Sequence, residues 1–488
     1  MKPNYRISHF GKWSLLLSLS LVSLSTPHCL WADETQDRIT QLEQALNDLA
    51  VQNNNLQKQL QDLKAMVGSG TNGSSSSTAS APIADTPAQV GSSPEESIPK
   101  DQLKLNWDGG IEFESADGTA KGEIGGRFHW DVLGFDADRE LEAAHPGELD
   151  GGTQFRRLRM SAEGQYGLEL PMIYKVDVDF AGGNTVLKDT FIGIRDIPYV
   201  GKIRLGHLKE PFSMEELGSS KHMGYVERAS LNEALVPSRN NGVEVSNMAM
   251  DDRMGWAAGW FAEVPSQNIN EIDGNHRVTG RLFGVPYKSG EVERPSMWHV
   301  GMAGSYANVQ DEENRFRAKP EANMAPRVVD TGLFASDSYY LGGVETALVH
   351  GPYSIQAEYV HNRSNGLNGG GHADFSGWYA YASWFLTGES RYDAYKPKFG
   401  FFDRVKPREN FSLLNKGLGA WELILRYSDL DLNDAGIAGG EMSVWTAGLN
   451  WYLSPSVRAI FNYGLADVAR PGQSGKTDIA QFRFLVNF

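Results

Sequence analysis

The chain of 488 residues contains a single cysteine, Cys29. It lies near the N-terminus, inside a segment with the form of a cleaved leader. The mature chain therefore has no thiol, which excludes a disulfide framework, Cys-based metal sites and thiol chemistry. Basic residues do not predominate: 45 Lys and Arg stand against 61 Asp and Glu, a net charge of -16. That balance excludes a nucleic-acid binder. Beyond the N-terminus no apolar run reaches the length of a transmembrane helix. There is no G-x-S-x-G elbow and no H-E-x-x-H motif. The 11 histidines are scattered without metal-ligand spacing. No enzyme activity, metal or cofactor is expected.

Glycine, by contrast, is abundant at 53 residues, and aromatics make up 11%. The informative stretch is 153–180. Read with a period of two, Leu158, Met160, Ala162, Gly164 and Tyr166 share one face, and Arg157, Arg159, Ser161, Glu163 and Gln165 the other. After a break at 167–170, Met172, Tyr174, Val176, Val178 and Phe180 alternate with Ile173, Lys175, Asp177 and Asp179. Successive strand side chains point to opposite faces. The pattern is a hairpin with one unbroken apolar face and one face carrying charges of both signs. A soluble sandwich would bury the apolar face. A membrane barrel would turn it to lipid and keep the charges in its lumen.

The chain divides by composition. Residues 1–32 have the form of a secretory signal: Lys2, Arg6 and Lys12, an apolar run from Leu15 to Leu24, and Ala32 as the last leader residue. Lipidation at Cys29 is the weaker reading, because Thr26, Pro27 and His28 are poor residues before a lipidated cysteine. In 33–67, Ile39, Leu42, Leu46, Leu49, Asn53, Leu56, Leu60, Leu63 and Val67 alternate spacings of three and four. This is a coiled-coil seam, with Asn53 as its one polar residue and hence the one that fixes register. Residues 68–102 are a Gly/Ser/Pro linker without periodicity.

From 103 to 488 the chain reads as strands. About sixteen begin near Lys121, an even number that suits a bacterial outer-membrane barrel. Long connections (135–152, 209–241, 264–275, 308–335, 362–373, 431–441 and 466–477) alternate with short ones. Two segments break that rule: 183–185 is too short for its side, and 388–419 is too long. Many apolar faces end in Trp, Tyr or Phe, as an interfacial girdle requires. The last strand ends on Phe488, as in the C-terminal assembly signal of outer-membrane barrels. The expected fold is an all-β, sixteen-stranded antiparallel transmembrane barrel behind an α-helical coiled coil and linker.

Several segments resemble the phosphate-selective porin O and P family. They include Gln154-Phe155-Arg156-Arg157 opening a strand, Leu187-Lys188-Asp189-Thr190-Phe191-Ile192-Gly193, and the run from Leu205-Gly206-His207 through Lys209-Glu210-Pro211-Phe212 to Gly218-Ser219-Ser220-Lys221, with Val226-Glu227-Arg228 following. Near the C-terminus Leu386-Thr387-Gly388-Glu389, Gly419-Ala420-Trp421-Glu422-Leu423 and Leu449-Asn450-Trp451-Tyr452 match as well. The resemblance covers about 110–488, outside the coiled coil and linker, and implies a homotrimer of barrels in outer-membrane lipid; the coiled coil is expected in the periplasm. Each pore is narrowed by the loop after the fifth strand, here 209–241, and passes small anions such as phosphate along arginines and lysines.

Matched position by position, Arg156, Arg157, Lys175, Asp189, Ser219, Ser220, Lys221 and Arg228 carry or flank the constriction. Arg157 and Lys175 are also lumenal by alternation. Arg156 has the opposite parity, so it sits where the strand leaves the regular sheet or faces an interface. The Ser219–Ser220 pair could bind a phosphate oxygen or form a cap or turn within the loop. Asp189 would pair with an arginine or help admit protonated phosphate. Arg315 and Arg317, with Lys319 and Arg327, resemble the family's basic funnel, although Asp311, Glu312 and Glu313 beside them also fit a solvated mixed-charge loop. One position departs: the family's phosphate-selective members have lysine where this chain has Glu216. The carboxylate reverses a charge at the narrow point and keeps a general or differently selective porin as the alternative.

The coiled coil allows a further role as trimerisation element or as an envelope tether to the cell wall. Deletion of 33–99 discriminates: unchanged permeability with loss of envelope attachment marks tethering as its main role, and retained attachment excludes it.

Overall fold

The computed structural model describes residues 103–107, 109–264, 275–291, 294–309, 313–367 and 370–488. The signal segment, the coiled coil with Asn53, and the linker lie outside the described residues, as do Asp311 and Glu312. Every described residue lies in one compact unit, 95–488.

Eighteen strands form one antiparallel sheet. A hairpin of β1 (Leu103–Trp107) and β2 (Ile111–Ser115) leads into β3 (Ala120–Ala137), β4 (Gly152–Tyr166), β5 (Met172–Asp179), β6 (Val186–Ile197), β7 (Gly201–Lys209), β8 (Arg239–Ala249), β9 (Met254–Ala262), β10 (His276–Ser289) and β11 (Ser296–Asn308). Then come β12 (Ser338–His350), β13 (Tyr353–Leu367), β14 (Gly371–Phe385), β15 (Ala420–Asp434), β16 (Ile437–Tyr452), β17 (Val457–Ala469) and β18 (Gly475–Asn487). Each strand from β3 to β18 pairs with the next, and β18 returns to β3 from Thr477↔Ala137 to Asn487↔Arg127. This closes a sixteen-stranded barrel and leaves no free edge. In lipid that closure is required, because an unpaired backbone group there has no water to bond. The hairpin lies outside the ring and pairs β2 with the part of β3 that extends beyond Phe488.

Closure depends on close backbone approach at the seam. A Cβ on Gly125 would lie 2.5 Å from the Phe488 carbonyl oxygen, and one on Gly126 2.6 Å from the Phe488 ring. Only glycine fits these two positions.

Burial is inverted relative to a soluble protein. Met160 is 55% exposed, whereas Arg157 on the opposite face of the same strand is 3% exposed. The apolar faces of Leu158, Met172, Val176, Leu423, Leu425, Trp445 and Phe461 are likewise outward and open. A sandwich cannot have this polarity, whereas a barrel in lipid requires it.

The strands run further than the alternation indicates on the long-connection side. β15 and β16 continue to a two-residue turn at Ala435-Gly436, both with positive φ, where the sequence suggests a connection of 431–441. β8 likewise begins at Arg239 rather than 242. Apolar alternation ends where lipid ends, but ladder hydrogen bonding continues into water, and there both faces can be polar.

The lumen is not simply a water channel. Loop 210–238, segment 313–337 and segment 386–419 all fold inward. Phe212, Tyr225, Leu231 and Leu235 from the first pack with Phe316, Val328 and Val329 from the second against Tyr339, Phe375 and Tyr379 of the wall. A packed core thus fills the lumen along β11–β18 and reaches Leu133 of β3, and a cavity remains along β3–β10.

The seam also carries a buried ion pair. Arg483 donates to both oxygens of Asp131, its cross-strand partner, at 2.6 and 2.7 Å, with each side chain 1% exposed. Removing Asp131 leaves the buried Arg483 with Glu227, at 2.9 Å, as its remaining counter-charge. Asp131→Ala is expected to lower stability by less than the roughly 3–5 kcal/mol of a fully unpaired buried charge, read as an earlier urea-unfolding midpoint in detergent micelles.

Candidate functional site

Loop 210–238 follows the fifth barrel strand, and the wall opposite its origin holds it across the lumen. Its short helix Met214–Leu217 begins at Ser213, whose hydroxyl accepts from Glu216 N at 3.1 Å. The Glu358 carboxylate on β13 accepts from the backbone N–H groups of Met214 and Glu215, at 3.2 and 2.7 Å. Glu215 accepts from Asn232 at 2.5 Å and lies 3.6 Å from Arg426 of β15. The second inward segment is tied to the same wall: Glu321 accepts from Arg426 and Ser428, and from Thr446 at 3.2 Å.

With the loop in place, a cavity of about 1300 Å³ extends from the short-turn mouth up to it. Arg157, Lys175, Asp189, Ser219, Ser220, Lys221 and Arg228 line this cavity. Arg127, Arg159, Lys209 and Arg239 line it too, and the sequence comparison does not single them out. Arg127 and Arg159 have lumenal parity, so the period of two contains the signal. Arg239 falls within the expected loop 209–241, because apolar alternation in β8 starts only at 242. Lys209 closes β7 next to the loop it braces.

Arg156 reaches the lumen through a bulge. The β3–β4 register jumps from His129↔Arg157 to Trp130↔Phe155, leaving Arg156 as the extra residue. A bulge re-aims a side chain that strict alternation would send outward. Both forks of Arg156 then meet Glu227, at 2.8 and 3.2 Å. Glu227 also lies 2.9 Å from Arg483 and 3.8 Å from Arg157. Burial alone would raise the Glu227 carboxyl; Arg156, Arg157 and Arg483 overcome this and hold it well below the ordinary carboxylate range.

The remaining cations are paired in the same way. Arg159 donates to Asp179 at 2.7 Å, Arg127 reaches Asp177 at 3.4 Å, and Arg239 reaches Asp189 at 2.8 Å. Lys175 pairs with Glu163. The Ser219 and Ser220 hydroxyls accept from Arg127 at 3.5 and 3.1 Å. Lys221 forms no ion pair among the described residues. Arg315 pairs with Asp330 in the 313–337 segment, and neither Arg315 nor Arg317 borders this cavity.

Glu216 does not border it either. Its side chain is 5% exposed behind the loop backbone, 3.2 Å from Arg228 and 3.7 Å from Lys209, and it accepts from Ser238 at 3.3 Å. Burial would raise this carboxyl, but Arg228 and Lys209 pull it below its ordinary value, so it is ionised at neutral pH. Arg228 also donates to the carbonyls of Glu215, Glu216 and Gly218, and Lys209 to those of Glu216, Leu217 and Gly218. The carboxylate thus touches the two cavity-lining cations, Arg228 and Lys209, that also hold the loop carbonyls.

The model of the family described as phosphate-selective porin O and P matches residues 123–488. The chain belongs to that family. An uncharacterized protein of Caulobacter vibrioides is 29% identical over 414 residues, 82% of this chain and 79% of that protein. Porin O of Pseudomonas aeruginosa is 24% identical over 396 residues, covering 73% of this chain and 85% of the relative. Among solved structures, the anion-selective porin from Comamonas acidovorans aligns with a TM-score of 0.47 at 10% identity, over 75% of this chain and 99% of that one.

As an outer-membrane porin of this family, the chain places its short turns toward the periplasm. The cavity's mouth, with Lys398 and Arg404, is therefore the periplasmic vestibule. At its inner end and in the wall behind it, Arg127, Arg156, Arg157, Arg159, Lys209, Arg228 and Arg239 stand against Asp177, Asp179, Asp189, Glu216 and Glu227, and Lys221 lies in the field of Arg127 and Glu123. The porin's constriction thus keeps an excess of cations, although most of its arginines are spoken for. Glu216→Gln retains the shape of the side chain and unpairs Arg228 and Lys209. It is expected to shift the reversal potential across a salt gradient severalfold toward anions. An unchanged reversal potential would show that the pair behind the loop does not influence the path.

Proposed function

We propose that this porin gives passive diffusion of small anions, phosphate among them, through the constriction at Arg127, Arg157, Ser219, Ser220 and Lys221. The observation that carries the reading is the cation excess around a narrowed lumen, with Lys221 in the cavity wall forming no ion pair among the described residues. In a narrow, partly dehydrated channel the lining charges set selectivity and the chain's net charge does not. The negative total of the sequence is therefore no obstacle. Arginine suits phosphate because its planar fork makes paired, charge-assisted hydrogen bonds. The Ser219 and Ser220 hydroxyls, which now accept from Arg127, could turn to donate to a phosphate oxygen.

The five carboxylates favour a second reading, a mixed-charge pore of weaker selectivity on the same scaffold. Reversal potential in a planar bilayer separates the two, and a cation-selective channel would sink the first. Trimerisation through 33–67, with the coiled coil in the periplasm, is part of the proposal and rests on the heptad pattern.

The loop lysine provides a pH signature. Burial, and then repulsion from Arg127, bring Lys221 down to about 8. A lysine loses its charge as pH rises, so anion preference is expected to fall between roughly pH 7 and 9. In Lys221→Gln the preference should start lower and fall less over that range. A wild-type channel whose reversal potential is constant there would place Lys221 away from the permeant ion.

A further inference from the structure

The segment that breaks the short-turn rule, 386–419, enters the periplasmic vestibule and carries an aromatic pair. Phe399 and Phe401 stack with ring centroids 5.4 Å apart and an interplanar angle of 24°. Phe399 is 46% exposed inside a cavity otherwise lined largely by charged side chains. The tip is held firmly. Arg281 of β10 donates to the carbonyls of Phe399 and Gly400, at 2.9 and 2.8 Å. Gly400 has φ +64°, and a Cβ there would lie 2.5 Å from the Phe283 ring. The exposed ring is thus a fixed wall of the vestibule.

Two cations on one face of β7 sit against rings. The Lys202 ammonium lies 5.2 Å from the Phe399 centroid, and the Arg204 guanidinium 5.1 Å from that of Phe191. Residues two apart on a strand are about 7 Å apart, so the two ring–cation couples follow each other along the wall. Arg204 is committed to Glu244, at 2.6 and 2.7 Å. Lys202 forms no ion pair among the described residues, and Lys398 is exposed next to Phe399. Inorganic phosphate has no use for an open ring. A planar aromatic anion uses both parts: its ring packs edge-to-face against the exposed part of Phe399, whose ring already carries Phe401 and Lys202, and its carboxylate meets the ammonium groups of Lys202 and Lys398.

We propose that the periplasmic vestibule is a binding site for aromatic carboxylates, with Phe399 and Lys202 as its main contacts. The idea extends the anion reading and rests on it only for permeation; binding can be measured without it. With the full-length protein in a planar bilayer, benzoate is expected to reduce chloride current at a concentration about tenfold lower than acetate. Phe399→Leu keeps apolar bulk without the ring and should bring benzoate to the level of acetate. Lys202→Gln should weaken both anions. Heat-modifiable gel mobility confirms that each variant is folded. Equal inhibition by benzoate and acetate in the wild type, or inhibition indifferent to Phe399→Leu, overturns the proposal. Saturation-transfer NMR on the detergent-solubilised protein separates this failure from that of the anion reading. Benzoate ring protons should show transfer in the wild type and lose it in Phe399→Leu even if the channel proves cation-selective. Absence of transfer in the wild type refutes the site.

Discussion

A charge enclosed within a barrel wall must find a partner, and much of this molecule follows from that. The sheet closes because no backbone group in lipid can be left open, and closure turns every second side chain toward an enclosed interior. Arginines turned into that interior are groups that burial penalises. The chain answers with carboxylates: Asp177 and Asp179 for Arg127 and Arg159, Asp189 for Arg239, Glu227 for Arg156 and Arg483, and Glu216 for Arg228 and Lys209. What remains after pairing is a small excess of cations, and that excess rather than the number of arginines is what an ion in the path would meet.

The same rule explains how the constriction is held. A long loop folded into a lumen needs anchors for its backbone as well as for its side chains. Glu358 caps the loop helix from across the barrel, and Arg228 and Lys209 gather the carbonyls at its other end. Glu321 reaches in from a second segment to bind the wall that also faces Glu215. Loop and segment then bury an apolar core of their own against β11–β18 and Leu133 of β3. The lumen is divided into a solid half and an open half, and the open half is the one lined by the paired arginines.

Legibility in the sequence follows from periodicity. Where a strand is regular, parity alone assigns a face: Arg157 and Lys175 fall in the lumen this way, and Arg127 and Arg159 obey the same parity. Arg156 marks the limit of that logic. Its parity is outward, and only the register jump opposite His129 and Trp130 turns it inward. Glu216 marks another limit. Its position in the loop is clear from the sequence, but its burial behind the backbone depends on Arg228 and Lys209 converging from elsewhere in the chain.

The sequence by itself determined the barrel, its strand number and the polarity of its wall, because a period of two repeated over sixteen strands leaves one face for lipid and one for the lumen. Tertiary structure alone decided which charges cancel, which half of the lumen is filled, and where an exposed ring such as Phe399 meets a lysine. Those outcomes depend on contacts between residues far apart in the chain, and no local periodicity encodes them.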